Sequence, residues 1–189
     1  MASELQVTTI RGVPTGSNAN QIVIPTGQKV VGTDANSIIA PGMAINSVEH
    51  QWGNQTQFTT AQTWVDLTGS TYSYTTKAAN SKILIIGMGQ AYMASGGSSG
   101  YGIGIFRGTT RIVSPYSNWG LGPHGYGNGA QPWHIQHLDA PGVAAGTALS
   151  YKIAGMLHAS SGQDIYFNYG GSWQGLSNFS SMIITEIAQ

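Results

Sequence analysis

Three features of the sequence predict an all-β protein, an extended N-terminal β arm followed by a jelly-roll β-sandwich. The most apolar stretch, residues 81–93, contains the β-branched run Ile83-Leu84-Ile85-Ile86 and ends at Ser95-Gly96-Gly97-Ser98-Ser99-Gly100, the pattern of a strand entering a loop. From Val48 onward, short apolar or alternating segments succeed one another with Gly, Ser, Pro and Asn between them. No segment keeps a helical period.

Residues 1–47 differ from the rest and are assigned to the arm. Ile22, Ile24, Val30 and Ile38 sit in short apolar clusters divided by Pro14-Thr15-Gly16, Pro25-Thr26-Gly27 and Pro41-Gly42. Such a segment buries too little apolar surface by itself to offset the entropy of ordering it. An ordered arm therefore needs copies of itself or a larger particle, and these apolar residues are its attachment candidates.

Residues 48–189 are assigned to the knob. Strands are expected at 48–58, 62–67, 70–76, 82–93, 101–107, 109–114, 131–138, 148–158, 164–169 and 180–187. Tyr72 and Tyr74 alternate with Thr71, Ser73 and Thr75, and Leu149, Tyr151 and Ile153 alternate with Ser150 and Lys152, as in half-buried strands. Many short strands with Gly-rich connections read as a jelly roll. The central strand is 82–93, where Ile83, Leu84, Ile85 and Ile86 are apolar on both faces. One face can meet the other sheet of a sandwich. The other needs further protein, which a second copy of the chain supplies, so an oligomer is expected.

Composition narrows the function classes. Charged residues are only 7% of 189, and seven basic side chains balance seven acidic ones. No net field draws the chain to nucleic acid or to an acidic membrane surface. With no Cys, disulfides and thiolate metal sites are impossible. Met1-Ala2-Ser3-Glu4 opens no basic-then-apolar signal, so no signal peptide is expected. No run reaches the ~18 apolar residues of a membrane-spanning helix.

The motifs that suggest catalysis lack their context. Gly96-Gly97-Ser98-Ser99-Gly100 fits a hydrolase elbow, but a strand rather than a helix is expected after it. Gly120-Leu121-Gly122-Pro123-His124-Gly125 fits a dinucleotide fingerprint, yet Pro123 and the glycines beyond forbid the required helix. His134 and His137 are three apart in a strand, so they point to opposite faces, and no metal or cofactor is expected. Glycan cleavage needs two facing carboxylates, and the seven here are scattered. The protein is not expected to be an enzyme.

Residues 114–132 form a connection far longer than a hairpin loop. In or beside it, Tyr116, Asn118, Trp119, His124, Tyr126, Asn128 and Trp133 combine flat apolar faces with neutral hydrogen-bonding groups. They suit stacking on a sugar ring or adhesion to protein, and equally the filling of a subunit interface. Tyr166, Asn168, Tyr169, Trp173, Gln174 and Asn178 form a second such cluster.

Several short runs also resemble tailed-bacteriophage fibre and decoration proteins. These are Gln6-Val7-Thr8-Thr9-Ile10, Ile24-Pro25-Thr26-Gly27, Ala40-Pro41-Gly42, Thr63-Trp64-Val65-Asp66-Leu67-Thr68-Gly69, Ser81-Lys82-Ile83-Leu84-Ile85, Phe106-Arg107-Gly108-Thr109 and Ile183-Ile184-Thr185-Glu186-Ile187. The resemblance implies a virion location and a homotrimer, an intertwined β arm leading into a knob similar to tumour-necrosis-factor and complement-type jelly rolls. It implies other virion proteins, tail or major capsid, as partners of the arm and contact with the host surface, where the aromatic residues above make a glycan the candidate ligand. Ile83, Leu84, Ile85, Ile86, Ile183, Ile184 and Ile187 become the candidates for the core and the trimer interface. The function implied is a short tail or head fibre that contacts the host. Residues 1–47 hold no long shaft, which keeps a capsid cement or decoration trimer as the alternative.

Overall fold

The computed structural model describes Thr26 and residues 38–93, 100–113, 129–157, 165–169 and 179–189. Among these residues every regular element is a strand: β1 (Ala44–Trp52), β2 (Thr56–Phe58), β3 (Trp64–Asp66), β4 (Tyr72–Thr75), β5 (Lys82–Met93), β6 (Tyr101–Arg107), β7 (Thr110–Val113), β8 (Gly129–Asp139), β9 (Ala148–Leu157), β10 (Ile165–Phe167) and β11 (Ser180–Ile187). The chain divides between Ile38 and Ile39 into two units, and all the strands lie in the second. Of the arm candidates, Ile22, Ile24 and Val30 lie outside the described residues, and Ile38 is exposed.

The first expected strand differs from expectation in two ways. The 48–58 segment is two strands, β1 and β2, because Gly53-Asn54-Gln55 interrupts it. β1 also begins earlier, at Ala44, directly after the turn in which Met43 N–H bonds the Ala40 carbonyl at 3.0 Å. Residues 44–47, read from the sequence as the end of the arm, therefore belong to a strand paired with β11.

β5 is the centre of the first sheet. β8 pairs with it from Ile83 opposite Asp139 to Met93 opposite Gly129. Its other edge is shared: β11 covers Lys82 to Met88 and β10 covers Ala91 to Met93. β1 then pairs β11, and β2 pairs β10. In the second sheet β9 is central, with β6 on one edge and β3 and β4 sharing the other, while β7 lies beyond β6. The two antiparallel ranks β1-β11-β5-β8 and β3/β4-β9-β6-β7, with the chain passing back and forth between them, make a jelly-roll sandwich.

Alternation along each strand selects the core. Ile83 and Ile85 turn inward from β5 with Ile135 from β8 and Ile184 from β11, and meet Ile103, Ile105, Tyr151 and Ile153 from the second sheet. Each such aliphatic side chain contributes about 1.5–3 kcal/mol by leaving water. The packing leaves no spare volume at two glycines. A methyl group on Gly155 would meet the Phe58 ring and lie 3.2 Å from Phe167; one on Gly89 would meet Ser180 and lie 2.6 Å from Trp133.

Among the buried polar groups, Asp139, Asn168 and Glu186 each bridge separate elements of the sandwich. Asp139, at the end of β8, accepts from Arg107 of β6 at 2.8 and 2.9 Å and from the Tyr151 hydroxyl of β9 at 2.8 Å, which ties the two sheets together. Burial and this bond push the Tyr151 phenol well above its ordinary value. Asn168 joins the ends of β10 and β11: its amide donates to the carbonyls of Trp52 and Asn54 at 3.3 Å and accepts from Ser180 Oγ at 2.6 Å. Its φ of +54° is one that Asn tolerates better than most residues.

Glu186 of β11 is the third, fully buried and without a cationic partner among the described residues. Its carboxylate accepts from Ser81 Oγ at 2.6 Å, Tyr74 OH at 2.7 Å, Lys77 N–H at 2.8 and 2.9 Å and Ala78 N–H at 2.9 Å. Burial alone would raise its pKa, but the two hydroxyls and two amides outweigh burial and hold it below the ordinary carboxylate value.

Two predictions follow from this packing. A carboxylate with a lowered native pKa contributes stability at neutral pH that is lost as pH falls below the unfolded value of about 4.3 and through the native one. Glu186→Gln should cost about 2–4 kcal/mol at pH 7 by chemical denaturation, and the gap to wild type should shrink toward about pH 3. A gap as wide in acid as at neutrality would contradict the cage. Gly155→Ala should cost about 1–3 kcal/mol by overpacking Phe58, whereas a neutral effect would mean that the sheets separate there without strain.

Candidate interaction surface

The face of the first sheet turned away from the core is set by the same alternation. From β5 it presents Leu84, Ile86 and Met88; from β11, Ile183 and Ile187 with Thr185 between them; from β8, Leu138, which pairs with Leu84. Ile183 pairs with Ile86, so the apolar side chains adjoin across three strands. Met88 is 39% and Leu138 46% exposed, and the other four are half-buried. The flanks are polar: Ser47, Glu49 and Gln51 on β1, and His134 and Gln136 on β8. An apolar centre with a polar rim is the composition of a protein interface.

The sequence-derived interface set therefore divides by parity. Leu84, Ile86, Ile183 and Ile187 lie on this outer face, and Ile83, Ile85 and Ile184 are core. Two contributors were missed. Met88 continues the parity of Leu84 and Ile86 and could have been found by counting. Leu138 follows the exposed polar residues His134 and Gln136, and only the strand register sets it beside Leu84.

The aromatic candidates fare differently. Tyr116, Asn118, Trp119, His124, Tyr126 and Asn128 lie outside the described residues. Trp133, proposed from sequence as a surface ligand, is instead a core residue, 3% exposed. It turns inward from β8 opposite Gly89, whose missing side chain makes room for the indole, and stands edge-on to Phe167 with ring centroids 6.3 Å apart. In the second cluster Asn168 is the buried bridge described above, and Trp173, Gln174 and Asn178 are outside the described residues. Tyr166 and Tyr169 instead join Tyr92: Tyr92 and Tyr169 stack at 4.6 Å, Tyr166 is 5.2 Å from Tyr169, and the Gln57 amide donates to Tyr166 OH at 3.2 Å.

Each described carboxylate is held by its own partners, and no two of them face each other. Asp139 is bound to Arg107, Asp66 to Lys152 at 2.6 Å, Glu49 to the Gln51 amide at 2.9 Å, and Glu186 to its hydroxyls and amides. His134 lies on the outer face opposite Met88, and His137 turns inward opposite Ile85. No cluster of three metal-ligating side chains occurs among the described residues. This geometry offers flat and apolar contact surfaces.

No protein-family model matches this sequence, and neither does any curated protein. Among solved structures, the chain is similar to that of infectious bursal disease virus, Gx strain, at 12% identity and a TM-score of 0.40, covering 86% of this chain and 41% of that one. It is also similar to the VP2 subviral particle of infectious bursal disease virus, at 14% identity and a TM-score of 0.33, covering 88% of this chain and 46% of that one. The chain spans less than half the length of either, and a likeness this loose does not establish a shared fold.

Proposed function

We propose that this protein is a structural component of a bacteriophage virion, a homotrimeric short fibre of the tail or head that contacts the host surface. The observation that carries the self-assembly is the outer face of the first sheet, where Leu84, Ile86, Met88, Leu138 and Ile183 adjoin on a chain with few charges. Isolated exposed apolar residues are ordinary, but a contiguous patch rimmed by polar groups marks a protein contact. Three copies packed by this face would cover both sides of β5. The sequence resemblance to phage fibre and decoration proteins supplies the particle, with tail or major capsid proteins as partners of the arm.

Host contact is assigned to the opposite resource, the long aromatic connection. Strand ends Met93, Gly129 and Ile165 adjoin in the first sheet and Tyr101 and Leu157 in the second, and the Tyr101 ring meets Phe167 of β10 across the sandwich at 5.4 Å. The segment with Tyr116, Trp119, His124 and Tyr126 enters β8 at that end through Gly129, and is the candidate to meet a surface glycan. The resemblance to decoration proteins supports a second reading, a cement trimer that stabilises the capsid shell.

Stoichiometry separates the two. Quantitative mass spectrometry of purified particles should find this protein in a small multiple of the tail or vertex symmetry relative to the major capsid protein. Copies comparable to the capsid protein would replace the fibre by the cement, and absence from particles would remove both.

A further inference from the structure

The sandwich is open along one side, where the first sheet ends in β1 and the second in β4. Among the described residues β1 pairs only with β11 and β4 only with β9. Between these edges lies a cleft of about 220 Å³ lined by residues that include Asn46, Val48, Tyr72, Tyr74 and Lys77.

The buried carboxylate orders the floor of this cleft. Ionised Glu186 can only accept hydrogen bonds, so the Tyr74 hydroxyl must donate to it at 2.7 Å. The phenol oxygen then accepts from Asn46 Nδ2 at 3.0 Å. That sequence of obligations fixes the Asn46 amide one way round and leaves its Oδ1 as an acceptor with no partner among the described residues.

The walls are equally set. Tyr72 is held against His50, 5.1 Å between ring centroids, and His50 is anchored by Nε2 to the Gly69 carbonyl at 2.8 Å and by stacking on Trp52 at 5.7 Å. Lys77 uses its backbone N–H on Glu186, while its ammonium has no carboxylate partner among the described residues, whose ion pairs are Arg107–Asp139 and Lys152–Asp66. A positioned ring, a fixed carbonyl acceptor and an unpaired ammonium complement a carboxylated sugar: its C–H face for Tyr72, a hydroxyl for Asn46 and the carboxylate for Lys77. An added peptide strand would use the open edges but would give the Asn46 carbonyl and the Lys77 charge no task.

We infer that the cleft between β1 and β4 binds an acidic saccharide of the uronic-acid type. Binding stands apart from the host contact assigned above, because the cleft lies beside Glu186 and Ile83, at the end of β5 opposite Met93. Because the Lys77 side chain is exposed and makes no ion pair among the described residues, Lys77→Glu removes no side-chain contact, and its backbone N–H still reaches Glu186.

The test is an NMR titration of the full chain with oligogalacturonate and, separately, with its neutral methyl ester. The acid should shift the resonances of Asn46, Tyr72 and Lys77, and the ester or Lys77→Glu should each weaken binding roughly tenfold. No shift at the cleft, equal binding of the ester, or an unaffected Lys77→Glu would overturn the inference. So would a cleft that responds to an acidic peptide and not to the sugar. Adsorption of particles carrying Lys77→Glu reports on host contact alone: saccharide binding by the purified wild type with unchanged adsorption supports the site and removes host contact from it.

Discussion

A strand that is apolar on both faces cannot be satisfied by one sandwich, and the molecule is arranged around that constraint. β5 is paired on both edges over most of its length, so its backbone is satisfied within the sheet. Its inward residues, Ile83 and Ile85, are covered by the second sheet. Its outward residues, Leu84, Ile86 and Met88, have no second layer within the described knob; register sets Leu138 beside Leu84 and Ile183 beside Ile86, which extends the apolar band, with Thr185, Gln136, Ser181 and His134 as the polar neighbours.

Against this apolar background the few buried polar groups have a defined task. Apolar packing is tolerant of small slips, whereas a buried carboxylate is satisfied in one geometry only. Asp139 fixes the stagger of the two sheets through Arg107 and Tyr151, and Glu186 fixes the turn after β4 onto the last strand. Asn168 spans the point where one rank of the first sheet passes from β10 to β11. Whether such groups add net stability over apolar replacements differs from case to case. Here their positions specify register, and the cage around Glu186 also orders the amide that faces the open edge.

Much of the fold was legible because strand signals are local. The runs at 82–93, 101–107 and 180–187 appear with the bounds that their flanking turn formers imply. What the sequence could not carry was register. It placed Trp133 beside a loop and so read it as surface, although the parity that buries it depends on its pairing with Gly89. It grouped seven isoleucine and leucine positions as core or trimer interface without dividing them, although neighbours in a strand face opposite ways. Asn46 and Lys77 gave no signal at all, because their shared site is made by strands from two different sheets.

The self-assembly of the outer face is most directly tested by the molar mass of the purified chain in light scattering, measured over a range of concentrations beside the double variant Met88→Glu, Leu138→Glu. Covering these two side chains is worth about 1.5–3 kcal/mol each. The wild type should therefore run at three times the mass of one chain, and the variant at one, with its β-sheet circular dichroism unchanged. A monomeric wild type, or a trimer indifferent to both charges, would contradict the account.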